Sequence, residues 1–249
     1  MRLTGDAARA RLVAAGLSQA DAAVVVAHLV AADAAGKQGH GLARVPWLEG
    51  LLGGERDARG APVRLERGEG FERWDGGRAL GYLTLDAVCS DLERDPPEHV
   101  RLVVCASCFP TGMLGGWARR IAEAGLVAVV TATSPRRLPH PAGGPPLTGT
   151  NPIAVAVPAS DGRPLVADVS MGAVTHGDVL AGRARPEELV PFGGALAHKA
   201  FALAVGVELL VGALAGPEHG AVVLAARPEH DPVPAFRELA SGLRLPGDR

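Results

Sequence analysis

Three side chains of this 249-residue chain carry the chemistry of proton transfer and carboxylate recognition: His40, Arg44 and Asp168. His40 stands between Gly39 and Gly41, which leave its ring accessible. Histidine titrates near neutrality and can donate a proton to a carbonyl or imine as hydride reaches the carbon. Arg44 follows four residues on, sharing a face with His40 if the segment is helical. Its guanidinium can hold a substrate carboxylate through two parallel bonds. Asp168 ends an apolar run, where a carboxylate can orient a histidine or accept a proton. Taken singly, a loop histidine, a solvated arginine and a turn-capping aspartate are the commoner readings.

A second kind of chemistry is close backbone approach to a ligand. Residues 147–152, Leu-Thr-Gly-Thr-Asn-Pro, lead into the apolar run 153–157. Glycine tolerates unusual backbone angles there, threonine and asparagine offer hydrogen bonds, and proline fixes the exit. Cys105 and Cys108 form a Cys-x-x-Cys, a pattern open to a redox dithiol or half a zinc site. With no second pair at zinc spacing they read as reduced cysteines at a strand end, and no metal site is expected. No Gly-x-Gly-x-x-Gly follows a strand, and there is no Walker loop, nucleophile elbow or His-Glu-x-x-His.

In chain order, Gly39-His40-Gly41 with Arg44, Ser107 with Phe109, residues 141–144, residues 149–152, residues 166–170 and Gly193-Gly194 with Lys199 resemble one family. It is the malate/L-lactate dehydrogenase family that does not use a Rossmann fold, together with ureidoglycolate dehydrogenases and pyrroline- and piperideine-2-carboxylate reductases. The resemblance implies hydride reduction of a 2-oxo acid or cyclic imine acid by NADH or NADPH. His40 would donate the proton and Asp168 would orient it. Arg44, Ser107 and Cys108 would meet a small carboxylate substrate. Gly143, Gly144, Gly149, Thr150, Asn151, Ser170, Gly193, Gly194 and Lys199 would line the dinucleotide. It also implies an α/β fold with a large, mostly antiparallel sheet flanked by helices, the N- and C-terminal helices packed together. A homodimer with the active site near the subunit interface belongs to the same expectation.

Departures accompany the match. Gly39 stands where the family has serine, Cys108 where it has histidine, and Ala200 where glycine follows the lysine. Length is missing mainly between Val174 and Pro191, and again between Gly216 and Val222. These differences motivate an alternative: a repurposed member performing cofactor-independent acid–base chemistry, such as cyclisation, elimination or hydrolysis, in a specialised biosynthetic pathway.

The elements that must position these residues are legible from capping and periodicity. Thr4 and Ser18 can cap helices over 5–15 and 20–33, and a short helix covers 45–52. Strands are expected at 62–67, 71–75, 100–105, 126–132, 153–157, 164–168 and 222–225. Helices are expected at 80–92, 114–124, 199–214 and 233–243, with a long loop over 134–150 and an irregular segment up to Pro191. Residues 100–132 read as a strand–helix–strand unit. Two parts follow: a helical one over 1–70, completed by 231–249, and a sheet-containing one over 71–230. Apolar residues make up 47% of the chain and aromatics 4%, so the core is built from Ala, Val and Leu. The net charge of −2 is spread without a basic field, arguing against a nucleic-acid or anionic-membrane partner. No apolar run approaches the ~20 residues of a membrane helix, and no secretory signal is read at the start. A cytoplasmic protein is the expectation.

Overall fold

The computed structural model describes residues 3–247. Two capped helices open the chain. Thr4 accepts the Ala7 N–H ahead of α1 (Gly5–Ala14), and Ser18 accepts the Asp21 N–H ahead of α2 (Gln19–Ala34). Helix α3 (Val45–Leu52) follows, with its buried Val45, Leu48, Leu51 and Leu52 at helical spacing.

Seven strands form the main sheet: β1 (Val63–Arg67), β2 (Phe71–Asp75), β3 (Val100–Ala106), β4 (Val127–Ala132), β7 (Ile153–Val157), β8 (Leu165–Val169) and β9 (Ala221–Ala226). Their order is β1-β2-β3-β9-β4-β7-β8. Only the β2–β3 pair is parallel; all other neighbours are antiparallel. Because β1 pairs with β2, the sheet begins at Val63, ahead of the boundary expected at residue 70. Helices α4 (Gly81–Arg94) and α5 (Leu114–Glu123) connect the strands. The expected β3–α5–β4 unit exists, but β9 slots between its strands and is antiparallel to both.

Strand alternation divides the apolar residues between two faces. Val103 and Val223 join the main core with residues of α2, α4 and α5, whereas Val104 and Val222 face α7 (Ala197–Ala215) through Val207 and Val211. With its leading turn, this helix spans Gly194–Ala215, 22 residues at mean hydropathy 1.6, long and apolar enough to cross a membrane. That corrects the expectation that no segment has the length. Here one face of it lies on the sheet, and Glu208 within it bonds the Asn151 amide.

Two stretches expected to be irregular carry structure. Within 134–150, β5 (Leu138–Pro139) and β6 (Pro146–Thr148) form a small antiparallel hairpin. Between Val174 and Pro191, Thr175 and Asp178 form a reciprocal capping box that starts α6 (His176–Leu180). Helix α8 (Val233–Leu239) is tied to the β7–β8 turn by Arg237, which bonds Asp161 and the Arg163 carbonyl.

Candidate active site

Steric need explains the glycines around His40. A Cβ on Gly41 would collide with the Asp33 carboxylate, which accepts the Leu42 N–H at 3.1 Å. A Cβ on Gly39 would collide with the Thr175 hydroxyl, and one on Gly177 with the Gly39 carbonyl. The shortened segment carrying α6 therefore sits directly on the His40 loop. This closes the space that a serine side chain would occupy at position 39. Residues 38–40 and 42–44 form successive 3-10 turns rather than one helix. Both His40 and Arg44 nonetheless reach the same cavity.

That cavity has a volume of about 100 Å³. Its charged and titratable walls are Lys37, His40, Arg44, Arg137, Asp168 and His176. Arg44 is 8% exposed, and its Nε is enclosed without a hydrogen-bond partner. Its guanidinium lies 5.0 Å from the Trp47 ring centre, and no carboxylate is within ion-pair distance of it among the described residues. His176 packs edge-on against the same Trp47 ring, at 5.9 Å.

The electrostatics follow from this crowding of cations. Burial, and then Arg44, His28 and Lys37, push His40 well below the usual imidazole range. Burial, Arg137 and Arg44 push His176 down to about 4. Asp168 moves the other way. Burial raises its pKa, opposed by Lys37 and by the Gly115 N–H at the start of α5. The Lys37 ammonium is 3.4 Å from the Asp168 carbonyl oxygen. The expected His40–Asp168 hydrogen bond is absent, and His40 Nδ1 is enclosed and unpartnered. The two share a cavity but are not joined.

Thr150 and Ser170 also lie on the cavity wall. From there the chain segments expected to meet a dinucleotide run side by side. The Met171 N–H donates to Thr150 O at 2.9 Å, and the Phe192 N–H to Met171 O at 3.1 Å. Gly193 and Gly194 then lead with positive φ into α7, where Lys199 is exposed in the first turn. Gly143 and Gly144 stand at the tip of the β5–β6 hairpin with open space around them. His140 of that hairpin packs edge-on against Phe201 of α7 at 5.1 Å. Open glycine backbone beside an exposed lysine fits a phosphate-bearing dinucleotide.

Other expected contacts are corrected. Asn151 is fully buried, with φ 33°. Its amide donates to Ala204 O at 2.9 Å and Glu208 Oε2 at 2.6 Å, so it anchors α7 beneath the loop. Gly149 backs onto Ser134, whose carbonyl a Cβ would strike. Cys108 is fully buried with its Sγ 3.7 Å from Gly81 O, and Ser107 donates to Glu218 Oε2 at 2.7 Å. Neither lines the cavity; Phe109 to Gly112, the next residues, do so instead. The backbone of Gly76 packs closely on that of Ser107, and the backbone of Gly81 on that of Cys108 and Phe109.

Sequence reasoning missed Lys37, Trp47, Arg137, Thr175 and His176. The Thr-x-x-Asp at 175–178 is a helix-start signal that could have placed His176. Nothing local to Arg137 distinguishes it from a solvated loop arginine.

A family model described as malate/L-lactate dehydrogenase matches residues 4–189. The delta(1)-pyrroline-2-carboxylate/delta(1)-piperideine-2-carboxylate reductase of Pseudomonas syringae pv. tomato is 31% identical, over 85% of this chain and 68% of its own. The (2R)-3-sulfolactate dehydrogenase (NADP(+)) of Chromohalobacter salexigens is 30% identical, over 85% and 70%. Among solved structures, the delta1-piperideine-2-carboxylate reductase from Pseudomonas syringae superposes with a TM-score of 0.84 at 27% identity, covering 98% of this chain and 89% of that one. A dehydrogenase from Sinorhizobium meliloti gives a TM-score of 0.83 at 26% identity, covering 100% and 90%.

Proposed function

The chain belongs to the malate/L-lactate dehydrogenase family, and from that premise we propose that it reduces the C=O or C=N bond of a small 2-oxo or cyclic imine acid with NADH or NADPH. The observation that carries this reading is Arg44, a buried guanidinium with no protein carboxylate, beside His40 in one small cavity. An enzyme gains nothing from an uncompensated buried charge unless a ligand neutralises it. A substrate carboxylate does so and fixes the reacting carbon near the imidazole.

The nicotinamide, when bound, supplies the hydride. The chain supplies geometry and the proton. Burial, reinforced by the nearby cations, keeps His40 neutral. An anionic substrate would offset Arg44 and Lys37, raise the imidazole pKa and ready His40 to protonate the developing alkoxide or amine nitrogen. Asp168, which accepts the Gly115 N–H in the first turn of α5, would face the substrate from the same cavity wall. Thr150 and Ser170 on the cavity wall, with Gly143, Gly144, Gly193, Gly194 and Lys199 on the segments that lead away from it, would hold the dinucleotide.

All three cysteines are free and buried, which suits a reducing cytoplasm. Leu203, Leu209 and Leu210 on α7 are 55%, 67% and 50% exposed, an apolar face suited to a second copy of the chain. Sedimentation equilibrium checks this: Leu203→Glu with Leu210→Glu should yield monomers, and a wild-type monomer would refute it.

The activity is tested by following nicotinamide absorbance with a panel of 2-oxo and cyclic imine acids. His40→Gln should lower kcat by about 100-fold or more. Turnover that persists without a dinucleotide, or is untouched in His40→Gln, would sink the reading.

A further inference from the structure

A cleft of about 620 Å³ lies beyond the end of α3, outside the active cavity. Its walls are the turn after α1 at Gly16, the end of α3 at Leu52, the loop 53–59 and the turn after β2 at Arg78. Three arginines, Arg56, Arg59 and Arg78, line it with one carboxylate, Asp57, among the described residues. None of the three is in an ion pair among the described residues. Asp57 is committed to its own turn, where its Oδ1 accepts the Arg59 N–H at 2.8 Å. The Arg59 guanidinium has no partner among the described residues. Arg78 stands at φ 62°, a left-handed backbone that arginine seldom adopts and that marks functional positions in other folds. It donates through Nη2 to the Glu55 and Gly54 carbonyls at 3.2 and 3.5 Å, which leaves its Nε and Nη1 for a ligand. Arg56 is half-buried over the Phe109 ring at 5.5 Å, with its Nη1 3.5 Å from the Ser107 carbonyl and its Nε enclosed without a partner.

Arginines gathered in this way repel one another. Burial lowers the Arg56 pKa most, and Arg78 lowers it further, against Glu218, Cys108 and Glu55. Such a cluster is unfavourable until an anion enters it. Phosphate suits it better than a carboxylate, because a tetrahedral group offers acceptor oxygens to several guanidinium forks at once. The approach is open, since nothing stands within 4 Å of where a Cβ on Gly54 would lie. We propose that this cleft is a second anion site, which takes a phosphate group through Arg56, Arg59 and Arg78. No residue lines both the cleft and the active cavity, although Phe109, beneath Arg56, belongs to the cavity wall. The site therefore stands whether or not the chain is a reductase. The phosphate can come from a free phosphate compound or from the cofactor, and the test separates the two.

Calorimetry in a phosphate-free buffer would titrate inorganic phosphate and pyrophosphate into wild type, Arg59→Glu, the double variant Arg59→Ala with Arg78→Ala, and Arg44→Met. Thermal melts would confirm that each variant folds; Arg59→Glu alters a side chain with no internal bond, so it keeps the test sound if the double variant does not fold. We expect wild type and Arg44→Met to bind pyrophosphate alike, and Arg59→Glu to bind it about tenfold or more weakly. No binding by wild type at millimolar concentration overturns the proposal. So does affinity unchanged in Arg59→Glu, and affinity lost in Arg44→Met alone assigns the anion to the active cavity. NADPH and NADH titrated into Arg59→Glu identify the source. Unchanged affinities mean a free phosphate compound, and a loss for NADPH alone means that the cofactor's own phosphate fills the cleft.

Discussion

A guanidinium enclosed as Arg44 is, over an aromatic ring and without a carboxylate, is costly in the ligand-free protein. That cost makes a prediction. Arg44→Met keeps most of the volume and removes the charge. It should raise the unfolding free energy by on the order of 1 kcal/mol while abolishing turnover. A urea titration with a parallel activity assay reads both; a variant that is less stable as well as inactive would mean Arg44 serves the fold. At this scale the sequence was most informative where residue type constrains chemistry. That His40, Arg44 and Asp168 would share one cavity was legible because few residues move protons or clasp carboxylates. Ser107 and Cys108 misled, because their neighbours matched a motif while their side chains bond Glu218 and the Gly81 carbonyl rather than lining the cavity.

Among elements, the junction of the His40 loop with α6 sets the site. Gly39 and Gly177 touch backbone to side chain and backbone to backbone, so neither tolerates a Cβ. Gly39→Ser, which restores the family residue, should therefore displace α6 and destabilise the chain by about 1–3 kcal/mol. It should also weaken substrate binding through Thr175 and His176; denaturant unfolding and KM measure the two effects. A fully stable and active Gly39→Ser would show that the contact is soft. Capping residues and strand alternation made the helices and the sheet readable, since those signals are local. The insertion of β9 between β3 and β4 was not readable, because pairing partners far apart in sequence leave no local trace. The same holds for the anchoring of α7 by Asn151, which a loop motif alone reads as a ligand contact.

For the molecule as a whole, burial of neutral histidines couples stability to pH. His28 stacks on Trp117 at 4.3 Å and accepts the Met113 N–H at 2.9 Å, and burial lowers its pKa to about 3. Its unfolded value is near 6.5, so between these limits the unfolded chain binds the extra proton. Stability is thus full above pH 6.5 and falls as pH drops towards 3, with a slope from His28 approaching about 1.4 kcal/mol per pH unit. His176, also lowered, adds in the same direction. Melting curves across this range should show the loss, and His28→Gln should flatten it; an unchanged slope in that variant would assign the effect elsewhere. Loop, sheet edge and α7 would together hold a dinucleotide. Calorimetric titration of the purified protein with NADPH and NADH tests it most directly. Micromolar binding of either, weakened by Lys199→Ala, is the predicted result. No binding of either at millimolar concentration would contradict it.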